Sequence, residues 1–247
     1  VRLGRRETAF GLADRDIVNI KVGTYSNHLP RLGIAMNDKL FLDRVEASVG
    51  DVVSDFLEHP ADYLFESDLQ CALFGSLKGN FRDLSFVSSS RDAPRFFGDK
   101  LTIHPVKSEY PYNIQGHKSD RFDLALLDCQ QDSSLRIYHQ HCRFGIEIKL
   151  WNPDGTGGSI WPDVTKLTHY LEAARLQNKE FSGLAILFVL PGAEKWLTDS
   201  LRGSLPPTIE TNEVSLHVVN SREKQVWGVP IPKGNETFQQ IIGFPGS

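Results

Sequence analysis

Cysteine is scarce in this chain, and what there is does not pair. Cys71, Cys129 and Cys142 make an odd count with no C-x-x-C among them. That argues against a disulfide framework and fits a reduced, cytoplasmic protein. Long apolar runs are missing as well. The longest, "GLAILFVL" at 183–190, falls far short of the roughly 20 residues that cross a bilayer. No membrane partner is therefore expected, and no secretory leader is read at the start. Nor is there an excess of positive charge: 27 Lys and Arg face 31 Asp and Glu, a formal net charge of −4. A nucleic-acid partner would have to be met by a local patch. Internal repeats and low-complexity segments are absent too. The chain starts at Val1 and has a single methionine, Met36, so it is expected to belong to a larger protein.

What remains is the make-up of a globular α/β protein, 247 residues with 40% hydrophobic and 23% charged. Residues 1–40 carry little periodicity and are read as an N-terminal extension or arm, with residues 41–247 as the main domain. Helices are predicted through "VEASVGDVVSDFLE" and, after Pro60, through "ADYLFESDLQCALFGSL", where Leu69, Leu73 and Leu77 share a side. Short strands are predicted near 84–88 and 101–107. "RFDLALLD" (121–128) and "SLRIYHQHCRFGIEIKL" (134–150) read as two strands joined by a polar turn. The helix "PDVTKLTHYLEAARLQ" places Val164, Leu167, Leu171 and Ala174 on one stripe. "GLAILFVL" reads as a strand buried on both sides. A further helix, "AEKWLTDSL", and strands in "VSLHVV" and "QVWGVP" finish the chain. Alternating helices and strands imply a layered α/β domain.

The chemistry collects on one strand face. Counted as an unbroken strand, 138–150 puts Tyr138, Gln140, Cys142, Phe144, Ile146, Ile148 and Leu150 on an apolar side. The other side holds His139, His141, Arg143, Gly145, Glu147 and Lys149. In the preceding strand Phe122, Leu124 and Leu126 share a face and Asp123 takes the other. A hairpin then brings Asp123 beside Glu147. Two carboxylates ~4.5 Å apart repel by about 3–4 kcal/mol at an effective dielectric near 20. Lys149 offsets part of that, and a divalent cation offsets it fully. An exposed Glu–Lys pair alone would be an ordinary surface feature. The upstream Asp123, with an acidic helix residue further upstream, turns the pattern toward a metal site. His139 and His141 do not make a zinc site, because Cys142 points the other way and no fourth ligand is in view. "RDAPRFFGDK" (91–100) suits phosphate contacts and base stacking as well as it suits a loop anchored to the core.

With Asp123 in "RFDLALLD", Glu147 and Lys149 in "IEIKL", and Glu66 in "FESDLQCALFGSL", the chain resembles the PD-(D/E)xK nuclease superfamily over about residues 55–190. The resemblance implies a restriction-endonuclease-like fold: a three-layer α/β/α domain with a central mixed β-sheet and core order α-β-β-β-α-β. It implies a Mg²⁺-dependent nuclease, with Mn²⁺ as a substitute, that hydrolyses phosphodiester bonds in DNA. Asp123 and Glu147 would hold metal, Glu66 would add a ligand, and Lys149 would position or activate the attacking water. Asp68 competes with Glu66 for that role. Phe122 stands where the name puts proline, and Lys166 stands where exonuclease members carry the glutamine of Q-x-x-x-Y, with Tyr170 in place. That departure favours an endonuclease, in restriction, defence or repair. Lys166, Tyr170, Arg143 and His141 are candidate substrate contacts. A homodimer presenting two sites is the simplest way to cut both strands. The alternative is a catalytically inactive nucleic-acid-binding or scaffold domain on the same fold.

Overall fold

The computed structural model of the chain describes residues 18–20, 36–89, 100–111, 120–128, 140–155, 157–194 and 213–230. The chain begins with a short strand, β1 (Val18–Ile20), followed by helices α1 (Met36–Glu58) and α2 (Glu66–Asn80). Strands β2 (Phe86–Ser89) and β3 (Lys100–Ile103) come next, then β4 (Val106–Pro111), β5 (Arg121–Leu127) and β6 (Cys142–Trp151). Helix α3 (Trp161–Leu176) and strands β7 (Ser182–Val189), β8 (Val214–Asn220) and β9 (Gln225–Pro230) complete the set. Among the described residues β2 and β3 pair only with each other. The remaining seven form a mixed sheet in the order β1-β9-β8-β7-β6-β5-β4. Its centre, β6-β7-β8, is parallel, and the pairs on either side are antiparallel. The protein is thus mixed α/β. None of its described helices is long and apolar enough to cross a membrane.

The expected boundary at residue 40 falls inside α1, and β1 pairs with β9 as an edge strand of the sheet. Part of the expected arm therefore belongs to the sheet. The helix expected from Ala61 is divided. Pro60–Asp62 form a single 3₁₀ turn, and α2 starts at Glu66. Asp68 explains the start: its Oδ2 accepts the Leu64 and Phe65 N–H groups at 3.0 and 2.8 Å, two donors a helix start leaves without partners. The loop 91–99, the basic start "VRLGRR", His139, Cys129 and most of "AEKWLTDSL" lie outside the described residues.

Two clusters of buried side chains divide the helices. Val45, Val49 and Phe56 of α1 and Leu69, Leu73 and Leu77 of α2 pack with Leu124, Ile146, Ile148 and Phe188. Val164, Leu167 and Leu171 of α3 pack instead with Phe122, Ala125, Ala185 and Leu187. β7 supplies both clusters and is buried at every position, as a central parallel strand should be. Helix α3 comes unusually close. Gly145 and Gly183 are neighbours on β6 and β7, and the Leu167 side chain fills the dent they leave. A Cβ on Gly145 would stand 3.1 Å from Leu167 Cδ2, and one on Gly183 only 3.0 Å from it. The two glycines set the depth at which α3 rides, and so where Asp163 and Lys166 arrive.

A candidate active site where two strands part

β5 and β6 are paired at Leu124–Ile146, Ala125–Gly145 and Leu126–Phe144. Beyond Ile146 the ladder stops, while β6 runs on to Trp151. Its next N–H groups on that edge need acceptors, because an unpaired buried amide is costly. Side chains supply them. Asp123 Oδ2 accepts the Ile148 N–H at 2.7 Å, and Glu66 Oε2 accepts the Leu150 N–H at 3.3 Å. The parting thus draws in one acid from β5 and another from the first turn of α2.

β5 is irregular at the same level. Opposite Asp123 on β4 sits Glu109, with φ +49°. The Asp123 carbonyl is bonded by Gln70 Nε2 of α2 at 2.9 Å, and the same amide reaches Glu109 Oε1 at 3.1 Å. Here the strand changes face. Phe122 belongs to the α3-side cluster with Ala125, whereas Leu124 and Leu126 belong to the other. The expected common face of Phe122 and Leu124 is corrected accordingly.

Glu147 and Lys149 point toward α3 and meet its first two turns. Lys166 Nζ donates to Glu147 Oε2 at 2.7 Å and to the Arg121 carbonyl at 2.8 Å. Lys149 Nζ lies 3.3 Å from Glu66 Oε2 and 3.6 Å from Asp163 Oδ2. Asp163 also comes within 3.8 Å of Lys166, so it stands between the two ammonium groups. Glu147 is 1% exposed, and among the described residues its second oxygen, Oε1, has no hydrogen-bond partner.

The electrostatics follow from burial and crowding. Burial pushes the Asp123 carboxyl up to about 6, against the pull of the Ile148 N–H and Lys166. Glu147 is pushed well above the ordinary range by burial and then by the Asp123 charge, with Lys166 pulling partly back. Burial also raises Asp163, despite Lys149 and Lys166. For Lys149, burial acts downward, but Asp163 and Glu66 outweigh it and the net shift is upward. It is held as an ammonium.

Asp123, Glu147, Lys149, Glu66 and Lys166 are therefore brought together, and Asp68 is not, being used at the start of α2. Arg143 and His141 do not join them. The register slips between Leu126 and Leu127, so that Phe144 faces Leu126 while Cys142 faces Leu127. One extra residue in β6 reverses the alternation N-terminal to it. The Arg143 guanidinium lies 4.4 Å over the Phe41 ring of α1, in the opposite cluster. His141, which burial keeps on the neutral side, shares its Nε2 hydrogen with the Glu180 carbonyl. Tyr170 packs edge-on against Phe122, and its hydroxyl accepts the Cys142 N–H at 3.1 Å. That residue fastens α3 to the start of β6. Two members of the constellation, Gln70 and Asp163, carry weak signals in the sequence: Gln70 lies four residues after Glu66 and Asp163 three before Lys166, each on its partner's helical face.

Among the described residues, no group of three or more His, Cys, Asp and Glu side chains is disposed to hold a metal ion. The acids are spanned by lysines and backbone amides instead. The donor set nonetheless fits a hard divalent cation. Mg²⁺ commonly takes only one or two carboxylates, completed by water and phosphate oxygens, and Glu147 Oε1 is a buried oxygen without a hydrogen-bond partner among the described residues. Asp123 and Glu147 are the residues that could hold such an ion, with Glu66 at the rim. Compared with known proteins, the chain matches no family model, no curated sequence and no solved structure.

Proposed function

We propose that the protein is a Mg²⁺-dependent DNA nuclease of the PD-(D/E)xK type, acting as an endonuclease in restriction, defence or repair. The observation that carries this reading is the pair Asp123 and Glu147. Glu147 is buried and Asp123 half-buried, both are shifted toward protonation by their surroundings, and among the described residues one Glu147 oxygen has no partner. Folding holds close two acids that repel, and a divalent cation would offset that repulsion more fully than the Ile148 N–H and Lys166 do. The core order α2-β4-β5-β6-α3-β7, with α1 and α2 in one buried cluster and α3 in the other, supports a three-layer restriction-endonuclease-like arrangement.

When bound, Mg²⁺ would supply a Lewis acid that offsets charge on a phosphate oxygen. Asp123 and Glu147 would hold it, and Glu66, 41% exposed at the mouth, would face incoming substrate. Lys149, as an ammonium between Glu66 and Asp163, has a proton to donate and none to accept. Its part is to orient the attacking water and to offset negative charge that develops at the phosphoryl group. Gln70 fixes the Asp123 backbone, and Gly145 and Gly183 fix the height of α3.

The test is cleavage of supercoiled, linear and single-stranded DNA with Mg²⁺ or Mn²⁺, beside Asp123→Ala and Lys149→Ala. Cutting by the unmodified chain alone, abolished by EDTA, is the expected result. The second reading, a binding or scaffold domain, is favoured by the lysines that already neutralise the acids. DNA binding without cutting, unchanged in both variants, would establish it instead.

A further inference from the structure

Four carboxylates, Glu66, Asp123, Glu147 and Asp163, share this site with two ammonium groups, Lys149 and Lys166, leaving two negative charges when all are ionised. One divalent cation would close that balance. The two lysines are not equivalent. Lys149 sits between Glu66 and Asp163, at the more open side of the group. Lys166 is about as exposed, 18% against 21% for Lys149, but its ammonium is shared among Glu147 Oε2, the Arg121 carbonyl and Asp163 Oδ1. It touches the most buried acid of the site, one of the two that could hold the metal.

We infer that Lys166 is a built-in placeholder for the divalent cation: it neutralises Glu147 while the site is empty and must yield that carboxylate when metal enters. This rests on the metal-site reading above. The geometry suits the task. A lysine on the first turns of α3 approaches from a different element than the two acids, so it can retreat without disturbing β5 or β6. The Arg121 carbonyl gives its ammonium a second acceptor when Glu147 is taken. Among the described residues only one of the Glu147 oxygens is occupied, so an ion can engage Oε1 before Lys166 leaves Oε2. Such a residue lets the acids stay packed at low metal concentration, and it weakens metal binding by the cost of its own displacement.

The experiment uses the whole chain, without DNA. Mn²⁺ is titrated calorimetrically into metal-free wild type, Lys166→Gln and Asp123→Asn. Thermal unfolding of each is followed in EDTA and in saturating Mn²⁺. Lys166→Gln is expected to bind Mn²⁺ at least tenfold more tightly than wild type. It should also melt lower in EDTA and gain more from Mn²⁺. Equal or weaker binding by Lys166→Gln, with binding lost in Asp123→Asn, overturns the placeholder and leaves the metal site standing. No Mn²⁺ binding by wild type or Lys166→Gln overturns both. Amine-reactive labelling of wild type, read by mass spectrometry at Lys166, keeps the idea testable should the variant not fold. Labelling several-fold faster with saturating Mg²⁺ supports displacement, and labelling that Mg²⁺ leaves unchanged overturns it.

Discussion

Asp123 Oδ2 accepts the backbone N–H of Ile148 at 2.7 Å, so a side chain of β5 completes an edge that its own backbone leaves open. The same carboxyl is raised from 3.8 to about 6, by burial first. Its sign fixes a pH dependence. Between those two values the folded chain binds more proton than the unfolded one, so the contribution is full below about pH 4. It is lost as pH rises through 6, and it amounts to at most about 3 kcal/mol. Burial raises Glu147 and Asp163 in the same sense. The metal-free chain should therefore lose stability between pH 4 and 7, and Asp123→Asn should lose less. Urea midpoints of both proteins across that range check this, and parallel curves would count against it. Mg²⁺ should raise the wild-type melting temperature more at pH 8 than at pH 5, because ion and proton compete for the same oxygens.

Gly145→Ala places a methyl group 3.1 Å from both Leu167 Cδ2 and Phe181 Cζ, and 3.2 Å from Phe122. All three are packed side chains, and since Leu167 is one of them, part of the relief must come from shifting α3. The expected loss is about 1–3 kcal/mol of stability, the usual cost of overpacking. Cleavage should fall further than stability alone explains, since α3 carries Asp163 and Lys166. Equilibrium unfolding and the rate of DNA cutting, measured on the same preparation, separate the two effects.

Gln70→Ala removes the donor to the Asp123 carbonyl and to Glu109. One lost hydrogen bond of this kind costs about 1 kcal/mol. The larger consequence is positional: Asp123 is freed where β5 changes face. Mn²⁺ affinity should drop several-fold while the melting temperature moves by only a few degrees. Unchanged affinity would mean that β5 holds Asp123 without help from α2.

How much of this the sequence displays depends on how local each feature is. The alternation from Gly145 to Trp151 makes Glu147 and Lys149 legible, because the strand there is regular. Val164, Leu167, Leu171 and Ala174 announce α3 for the same reason. The alternation fails at Arg143 and Cys142, where one extra residue in β6 reverses the facing and carries Arg143 to Phe41. It fails again at Phe122, where β5 changes face opposite Glu109. Neither slip leaves a mark in composition, since both arise from pairing between strands. Lys166 is visible as a departure from a familiar pattern, but its grip on Glu147 depends on the depth of α3. That depth is written in Gly145 and Gly183, which are 38 residues apart and only the sheet makes neighbours.

Lys149 offers the sharpest separation of chemistry from binding. Its ammonium is held by Glu66 and Asp163, and the net field of those acids keeps it charged. A charge placed for the transition state, and not for substrate affinity, gives a particular pattern when removed. Lys149→Ala should lower the cleavage rate by at least about 100-fold, the range seen when one positioned donor is deleted. DNA affinity, read by fluorescence anisotropy in Ca²⁺ or EDTA, should stay within about threefold of wild type, a change below 1 kcal/mol. Asp163→Asn tests the support behind it. Lys149 then keeps only Glu66, so the rate should fall by less than in Lys149→Ala, and the double variant should be no slower than Lys149→Ala alone. If the two losses multiply instead, Asp163 acts on the substrate or the metal by itself and not through Lys149.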